Sequence, residues 1–379
     1  MFHAEAIRVK YSLYNLSDLT IFSSGPLAVE FFFVLSGFLI TYLLLAEYSD
    51  TGTINIKHFY MRRILRIWPL YYLILIIGLL LIPIAINVLH IDYTFHYPIS
   101  IAGPLFTFFL PNLVLAIWGS SYLGPLWSID VEEQFYFFWA PLIKRFKKYP
   151  ITIFWVIIVL RVIFYFYYIH LSNYGLSRPT NVAFHFINIL KFEAMSIGAL
   201  GAWLFYSYRQ KLLSSKLFSI GFQVFALAVI SLRLIFHNTL IVNTGWGGTI
   251  YSALFNSFYS PVITNFLFLW LILNISSNPK SLINTDNKVF NLLGNISYGI
   301  YMYHGIVLLI TVILLKNVLR PLSPIMSTTL LYAVAAGLTI LAAYLTYRFI
   351  ELKFLAMKKT FEHGNSIREK NQKKSVVQA

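Results

Sequence analysis

Cysteine is missing from all 379 residues, which excludes disulfides, thiolate nucleophiles and cysteine-based metal sites and fits either redox compartment. Charge is nearly as scarce: 11% of residues are charged against 58% hydrophobic, and the mean hydropathy is +0.71. A soluble globule could not cover its surface with so little polar material. The sequence also lacks HExxH, a Walker loop and GxGxxG, so a zinc protease, a P-loop ATPase and a dinucleotide-binding enzyme are unsupported, and no metal is expected. No internal repeat is visible, which weakens the inverted-repeat architecture of many secondary transporters. Residues 1–10 hold Glu5, Arg8 and Lys10 without an apolar core, so they do not read as a cleavable signal peptide.

What the chain does have is a series of apolar runs of about 20 residues, each long enough to cross a hydrocarbon core as a helix. Long unbroken runs, rather than alternating segments of about ten residues, select helices over an outer-membrane barrel, because backbone groups in lipid must satisfy one another. The fold class is therefore all-α, a polytopic membrane helical bundle of about nine transmembrane helices. Crossings are read at 29–46, 67–89, 126–143, 150–170, 183–206, 217–236, 250–275, 289–315 and 327–350. The segment 104–118 is apolar but short and contains Pro104 and Pro111, so it reads as re-entrant or interfacial. A membrane domain then covers 1–354, and the polar, basic stretch 355–379 reads as a disordered tail or one lying on anionic lipid.

The net charge of +15 would suggest nucleic acid in a soluble chain, but here it sits in short loops and the tail, so no nucleic-acid partner is expected. One set of alternate loops holds Lys57, Arg62, Arg63 and Arg66, then Lys144, Arg145, Lys147 and Lys148, then Arg209, Lys211 and Lys216, then Lys280 and Lys288. The C-terminal part, with Arg348 and Lys353 ahead of Lys358, Lys359, Arg368, Lys370, Lys373 and Lys374 in the tail, joins that set, while the opposite loops offer Arg8, Lys10, Arg178, Lys316 and Arg320. Lys and Arg accumulate on the cytoplasmic side, so the first set and the tail are expected there. The alternation balances when 104–118 does not cross.

Four stretches could carry chemistry. In HFYMRRILRIWP, Arg63 and Arg66 stand three apart on a helix and could grip two phosphates, although a basic juxtamembrane turn also serves topology and lipid headgroups. In LWSIDVEEQFYFFWAPL, Asp130, Glu132 and Glu133 enter an otherwise apolar span. A carboxylate at that depth is costly and marks a wet cavity or partner, unless it stays in water at the interface. LLGNISYGIYMYHGIVLL carries Asn295, Ser297, Tyr298, Tyr301, Tyr303 and His304 inside an apolar span; close helix packing and interhelical hydrogen bonds explain most of them, and His304 is the least easily explained that way. Ser36 and Gly37 in FFFVLSGFLIT read as a small-residue contact with another helix. Lys191, Glu193, Arg161 and Arg233 are further intramembrane charges that pairing or snorkelling would explain.

Taken in order, FFFVLSGFLIT, FYMRRILRIWP, LWSIDVEEQFYFFWAPL, KFEAMSIGAL, LGNISYGIYMYH and YRFIE resemble the acyltransferase 3 family of membrane proteins, which includes bacterial acetylases of cell-surface glycans. The resemblance reaches to about residue 354 and is most specific at WSIDVEEQFY and ISYGIYMYH. It implies a membrane O-acyltransferase in a bacterial inner membrane. The donor would be acetyl-CoA or another acyl-CoA, with no permanently bound cofactor, and the acceptor a hydroxyl of a carbohydrate or lipid-linked glycan; membrane lipids complete the partners. Arg62, Arg63 and Arg66 would hold the CoA phosphates, and Trp127, Ser128, Tyr298 and His304 would line the acceptor pocket. His3, in MFHAE, matches the last turn of the family's first helix and would be the catalytic base, with Glu132 keeping the site polar. Family members carry an upstream arginine and about ten crossings, so the resemblance implies that the first helix is cut short here. Glu30 in place of Asp, and no Pro after Glu351, are departures. Direct transfer and an acyl-histidine relay both stay open, as do a transporter or flippase using the same charges and an inactive member acting as a scaffold.

Overall fold

The structure, a computed structural model, describes residues 7–11, 13, 14, 25–146, 150–172, 177–235 and 260–362. His3 and the tail from 363 onward lie outside the described residues. Among the described residues every regular element is a helix, and none is a strand. In chain order the helices are α1 (Gly25–Thr51), α2 (Ile56–Ile76), α3 (Ile82–Val88), α4 (Ile99–Thr107), α5 (Pro111–Trp118), α6 (Leu126–Phe146) and α7 (Pro150–Ser172). They continue as α8 (Arg178–Ile189), α9 (Phe192–Leu213), α10 (Ile220–Ile235), α11 (Ser260–Ser277), α12 (Lys288–Leu319), α13 (Pro324–Thr346) and α14 (Leu352–Lys358). Among the described residues the expected crossings fall on helices or joined pairs, with residues 250–259 of the 250–275 crossing outside the described residues. Among the described residues, six helical runs are long and apolar enough to span a membrane, α10 and α11 are shorter, and α6 has the length but carries five charges. On α7 the apolar side chains Trp155, Val159, Ile163 and Phe166 are exposed, a stripe that suits hydrocarbon and would be untenable in water. The protein is an all-α polytopic membrane protein.

The 104–118 segment forms no crossing-length helix. It is the hairpin α4–α5, nine and eight residues long, turned at Phe108–Leu110 with Phe109 in the left-handed region at φ +58°. At 1.5 Å per residue neither helix exceeds about 14 Å.

The chain divides into two compact units, Met1–Leu45 with Phe146–Phe290, and Ala46–Arg145 with Asn291–Ala379. In the first unit α9 packs against α1, α7 and α11. The α1–α9 approach is reciprocal: a Cβ on Gly37 would strike the Met195 carbonyl, and one on Gly198 would strike the Val34 carbonyl. Small residues let helix backbones meet where lipid supplies no hydrophobic drive. Gly37→Val should therefore cost about 2 kcal/mol through overpacking, read as a lowered unfolding midpoint in detergent; an unchanged midpoint would contradict the contact. The 183–206 crossing is not one continuous helix. It breaks between α8 and α9 at Lys191, which sits at φ +48°. Charges surround the break: Lys191 pairs with Glu30 of α1 at 3.2 Å, and Arg161 of α7 with Glu193 at 3.5 Å. Arg161 also donates to Asn188. Opposite charges at membrane depth are paired here, as intramembrane ions must be.

In the second unit a π turn, Ile77–Leu81, continues α2 into α3, and another, Tyr347–Glu351, joins α13 to α14. The α4–α5 hairpin is fastened to α2 by Tyr71, whose hydroxyl donates to the Phe106 carbonyl at 2.7 Å and whose ring stacks on Phe109 at 4.4 Å. It is fastened to α6 by Gln134, which donates to the Phe109 carbonyl and meets Asn112. The loop before α6 is buried at Tyr122 and Leu123. A Cβ on Gly305 would meet the Tyr122 carbonyl, and α12 runs on to Leu319, about 21 Å further.

Candidate functional site

Every expected site residue except His3 falls in the second unit, on α2, α6 and α12. The basic end begins at the α1–α2 turn. Glu47, almost wholly buried, accepts from the Asn55 amide at 2.7 Å, and Asn55 in turn caps α2 by accepting from the His58 amide at 3.1 Å. The same Glu47 carboxylate holds the Arg62 guanidinium at 2.9 Å, and Arg62 also donates to the Phe361 carbonyl at 2.7 Å. Arg62 is thus buried and committed to protein partners. One residue on, Arg63 is half-buried over the Tyr136 ring at 5.8 Å, and its Nε has no hydrogen-bond partner among the described residues. Arg66, one turn further, is exposed. Helix periodicity separates the roles: consecutive positions lie 100° apart, so Arg62 turns into the protein while Arg63 and Arg66 share another face.

Buried carboxylates follow. Glu133 accepts from the Trp68 indole at 3.3 Å and lies in the field of Arg63, while Glu351, delivered by the second π turn, lies in the field of Arg66. Asp130 is fully buried; the Tyr71 hydroxyl and the Asn112 amide lie beside it, although neither carboxylate oxygen makes a well-formed hydrogen bond. Glu132 is 3% exposed; its charge is felt at the Tyr301 hydroxyl together with that of Asp130, and at the Tyr298 hydroxyl behind those of Glu133 and Glu351. The arginines of α2, the carboxylates of α6 and of the second π turn, and the tyrosines of α12 thus belong to one cluster.

The far part of the cluster is hydroxyl-rich. Ser128 and Tyr301 share a hydrogen bond of 2.6 Å, and Ser128 also reaches the Pro125 carbonyl at 3.3 Å. Tyr298 donates to the Ile67 carbonyl at 2.9 Å, which makes it a strut between α12 and α2. His304 meets the Tyr301 carbonyl through Nδ1, and its ring lies 5.4 Å from the Tyr301 ring. A carbonyl partner requires a proton on Nδ1, which leaves Nε2 as an acceptor. Trp127 is half-buried in the first turn of α6. In the preceding loops Tyr97 and Tyr122 are buried, which pushes both phenols above their ordinary value and keeps them protonated; Tyr122 donates to the Gly78 carbonyl at 2.8 Å.

The sequence marked Glu133 only as one of three carboxylates in its run and Tyr301 only as one hydroxylated residue among several, and gave neither a role of its own; Glu351 stood out only as part of YRFIE, yet all three join the same cluster. YRFIE was a signal for Glu351. Nothing in the sequence announced that Glu47 would neutralise Arg62.

This arrangement, arginines at one end and carboxylates and hydroxyls at the other, can hold a phosphorylated donor and a hydroxylated acceptor in one helical framework. Residues 2–348 match the profile of acyltransferase 3, described as an acyltransferase domain. The chain belongs to the acyltransferase 3 family. Among curated proteins, a Staphylococcus aureus (strain COL) protein whose O-acetyltransferase name is provisional is 30% identical over 357 residues, 88% of this chain and 53% of that protein. Peptidoglycan O-acetyltransferase OatA of Listeria monocytogenes is 30% identical over 138 residues, 33% of this chain and 21% of its own length. A provisionally named acetyltransferase of Acidianus two-tailed virus is 28% identical over 299 residues, 78% of this chain and 77% of the viral protein. The chain spans about half the length of the first of these acyltransferase 3 relatives. No solved structure matches it.

Proposed function

We propose that this chain is a membrane O-acyltransferase that moves an acyl group, acetyl by analogy with its relatives, from acyl-CoA to a hydroxyl of a cell-surface carbohydrate. The observation that carries the reading is the joining of exposed and half-buried arginines to a buried carboxylate and tyrosine cluster within one unit of an acyltransferase 3 member. Arg63 and Arg66 bind the CoA phosphates, and Arg62, held by Glu47, keeps their helix in place. The acceptor lies against Trp127, Ser128, Tyr301 and His304, a mixture of rings and hydroxyls that suits a sugar. Tyr298 braces α12 beside it. His3 takes the hydroxyl proton as the oxygen attacks the thioester carbonyl; the C–S bond breaks, an ester C–O bond forms, and the proton passes to the departing CoA thiolate. Loop charge supports a donor entering from the cytoplasm and a cytoplasmic C-terminal tail, while family likeness and helical topology support a bacterial inner membrane.

The test is transfer of label from acetyl-CoA by membranes carrying the chain, with a polysaccharide or lipid-linked glycan as acceptor. Arg66→Ala is expected to raise KM for acetyl-CoA about tenfold with little change in kcat, the signature of one lost charge-assisted contact. Verified expression without thioester cleavage would overturn the reading.

A further inference from the structure

The basic end of the second unit is completed by a helix that sequence reasoning counted only toward topology. The Phe361 carbonyl accepts from Arg62 at 2.7 Å, and the Phe361 ring meets the His58 ring edge-on at 5.5 Å. These contacts latch the C-terminal end of the described chain to the start of α2, and α14 packs along α2. Lys358 stands three residues before Phe361, and its ammonium lies in the field of Arg63, Arg66 and Arg62. Four cations from two helices therefore converge.

The anions around them are unequally matched. Glu47 is committed to Arg62 and Asn55. Glu133 faces Arg63, and Glu351 faces Arg66. Lys358 has Glu362 at 3.8 Å, an i,i+4 pair whose carboxylate side chain is 51% exposed, the kind of surface pair that contributes little. The lysine side chain is itself 20% exposed, so it is not sealed inside the protein. Gathering like charges costs energy unless an anion joins them. An arginine fork suits bidentate oxygens, while an ammonium on a flexible stem suits a single phosphate oxygen as a point charge.

We propose that Lys358 is a donor-site residue, a fourth cation that binds a phosphate of the acyl-CoA and is brought to α2 by the Arg62–Phe361 latch. This rests on the acyl-CoA reading above. The same chemistry would fit an anionic lipid headgroup, and the two sources separate by donor.

KM and kcat are measured with acetyl-CoA and with S-acetylpantetheine, which lacks every phosphate, in the same vesicles. Lys358→Met is expected to raise KM for acetyl-CoA about tenfold, to leave kcat within about twofold and to leave KM for S-acetylpantetheine unchanged. Lys358→Arg should restore most of the loss. Glu362→Gln, at an exposed position that folding tolerates, should lower KM for acetyl-CoA about twofold by releasing the lysine. Equal losses with both donors would assign Lys358 to structure or to lipid and overturn the proposal, as would unchanged kinetics in both the Lys358 and Glu362 variants. Wild-type chain that turns over neither donor would instead bring down the acyl-CoA reading, and the lysine's role with it.

Discussion

Glu132→Gln is expected to lower kcat for acyl transfer by about 100- to 1000-fold while the helices stay assembled. The substitution keeps the length and hydrogen-bonding capacity of the side chain and removes its charge. Glu132 is 3% exposed on α6 and its charge is felt at the hydroxyls of Tyr301 and Tyr298, and Tyr301 is hydrogen-bonded to Ser128 at 2.6 Å. On the proposed mechanism, its negative charge would help to order these hydroxyls beside an acceptor oxygen that loses its proton. In a site from which water is excluded, such fixed electrostatics carry much of the barrier lowering. An uncharged amide supplies no equivalent field, so kcat should fall more than KM rises. Tyr301→Phe is the companion measurement: removing one hydroxyl of the chain should cost less than removing the charge that orders it. Full activity in Glu132→Gln, with unaltered folding, would sink the role given to this carboxylate.

The positions of the helices were legible in the sequence because an apolar run of about 20 residues has few alternatives in lipid. The failure of 104–118 to span was legible for the same reason: the run is short and holds two prolines. The break at Lys191 was not. A single residue at φ +48° leaves no mark on hydropathy, and its ion pair reaches Glu30, 161 positions away. The π turns at Ile77–Leu81 and Tyr347–Glu351 were equally invisible, since they shift helical phase without changing composition. At the site, residue types singled out stretches of α2, α6 and α12 one by one, the family resemblance joined them, and the structure places those stretches in one unit. Spacing could not show which arginine turns inward. That depends on Glu47 and on a carbonyl 299 positions later in the chain.

The inward arginine supplies the largest expected change in stability. Glu47→Ala should destabilise the second unit by about 3–5 kcal/mol, because it leaves the Arg62 guanidinium buried without its counter-charge. The pair is 9% and 1% exposed at the two side chains, and Glu47 also satisfies the Asn55 amide in the turn that starts α2. Two effects therefore coincide, an uncompensated cation and a weakened helix entry. Replacing both partners by similar-sized apolar residues, Glu47→Leu with Arg62→Met, should recover most of that loss, since the cost of a broken buried pair lies mainly in the charge left behind. The double variant should nevertheless bind acyl-CoA poorly. Without Arg62 the Phe361 carbonyl loses its donor, α14 is no longer latched to α2, and Lys358 is no longer held beside Arg63 and Arg66. Unfolding midpoints in detergent, set beside KM for acetyl-CoA, separate these outcomes. A double variant with recovered stability and raised KM assigns Arg62 to positioning the donor site. Recovered stability with wild-type KM would make the latch a purely structural contact.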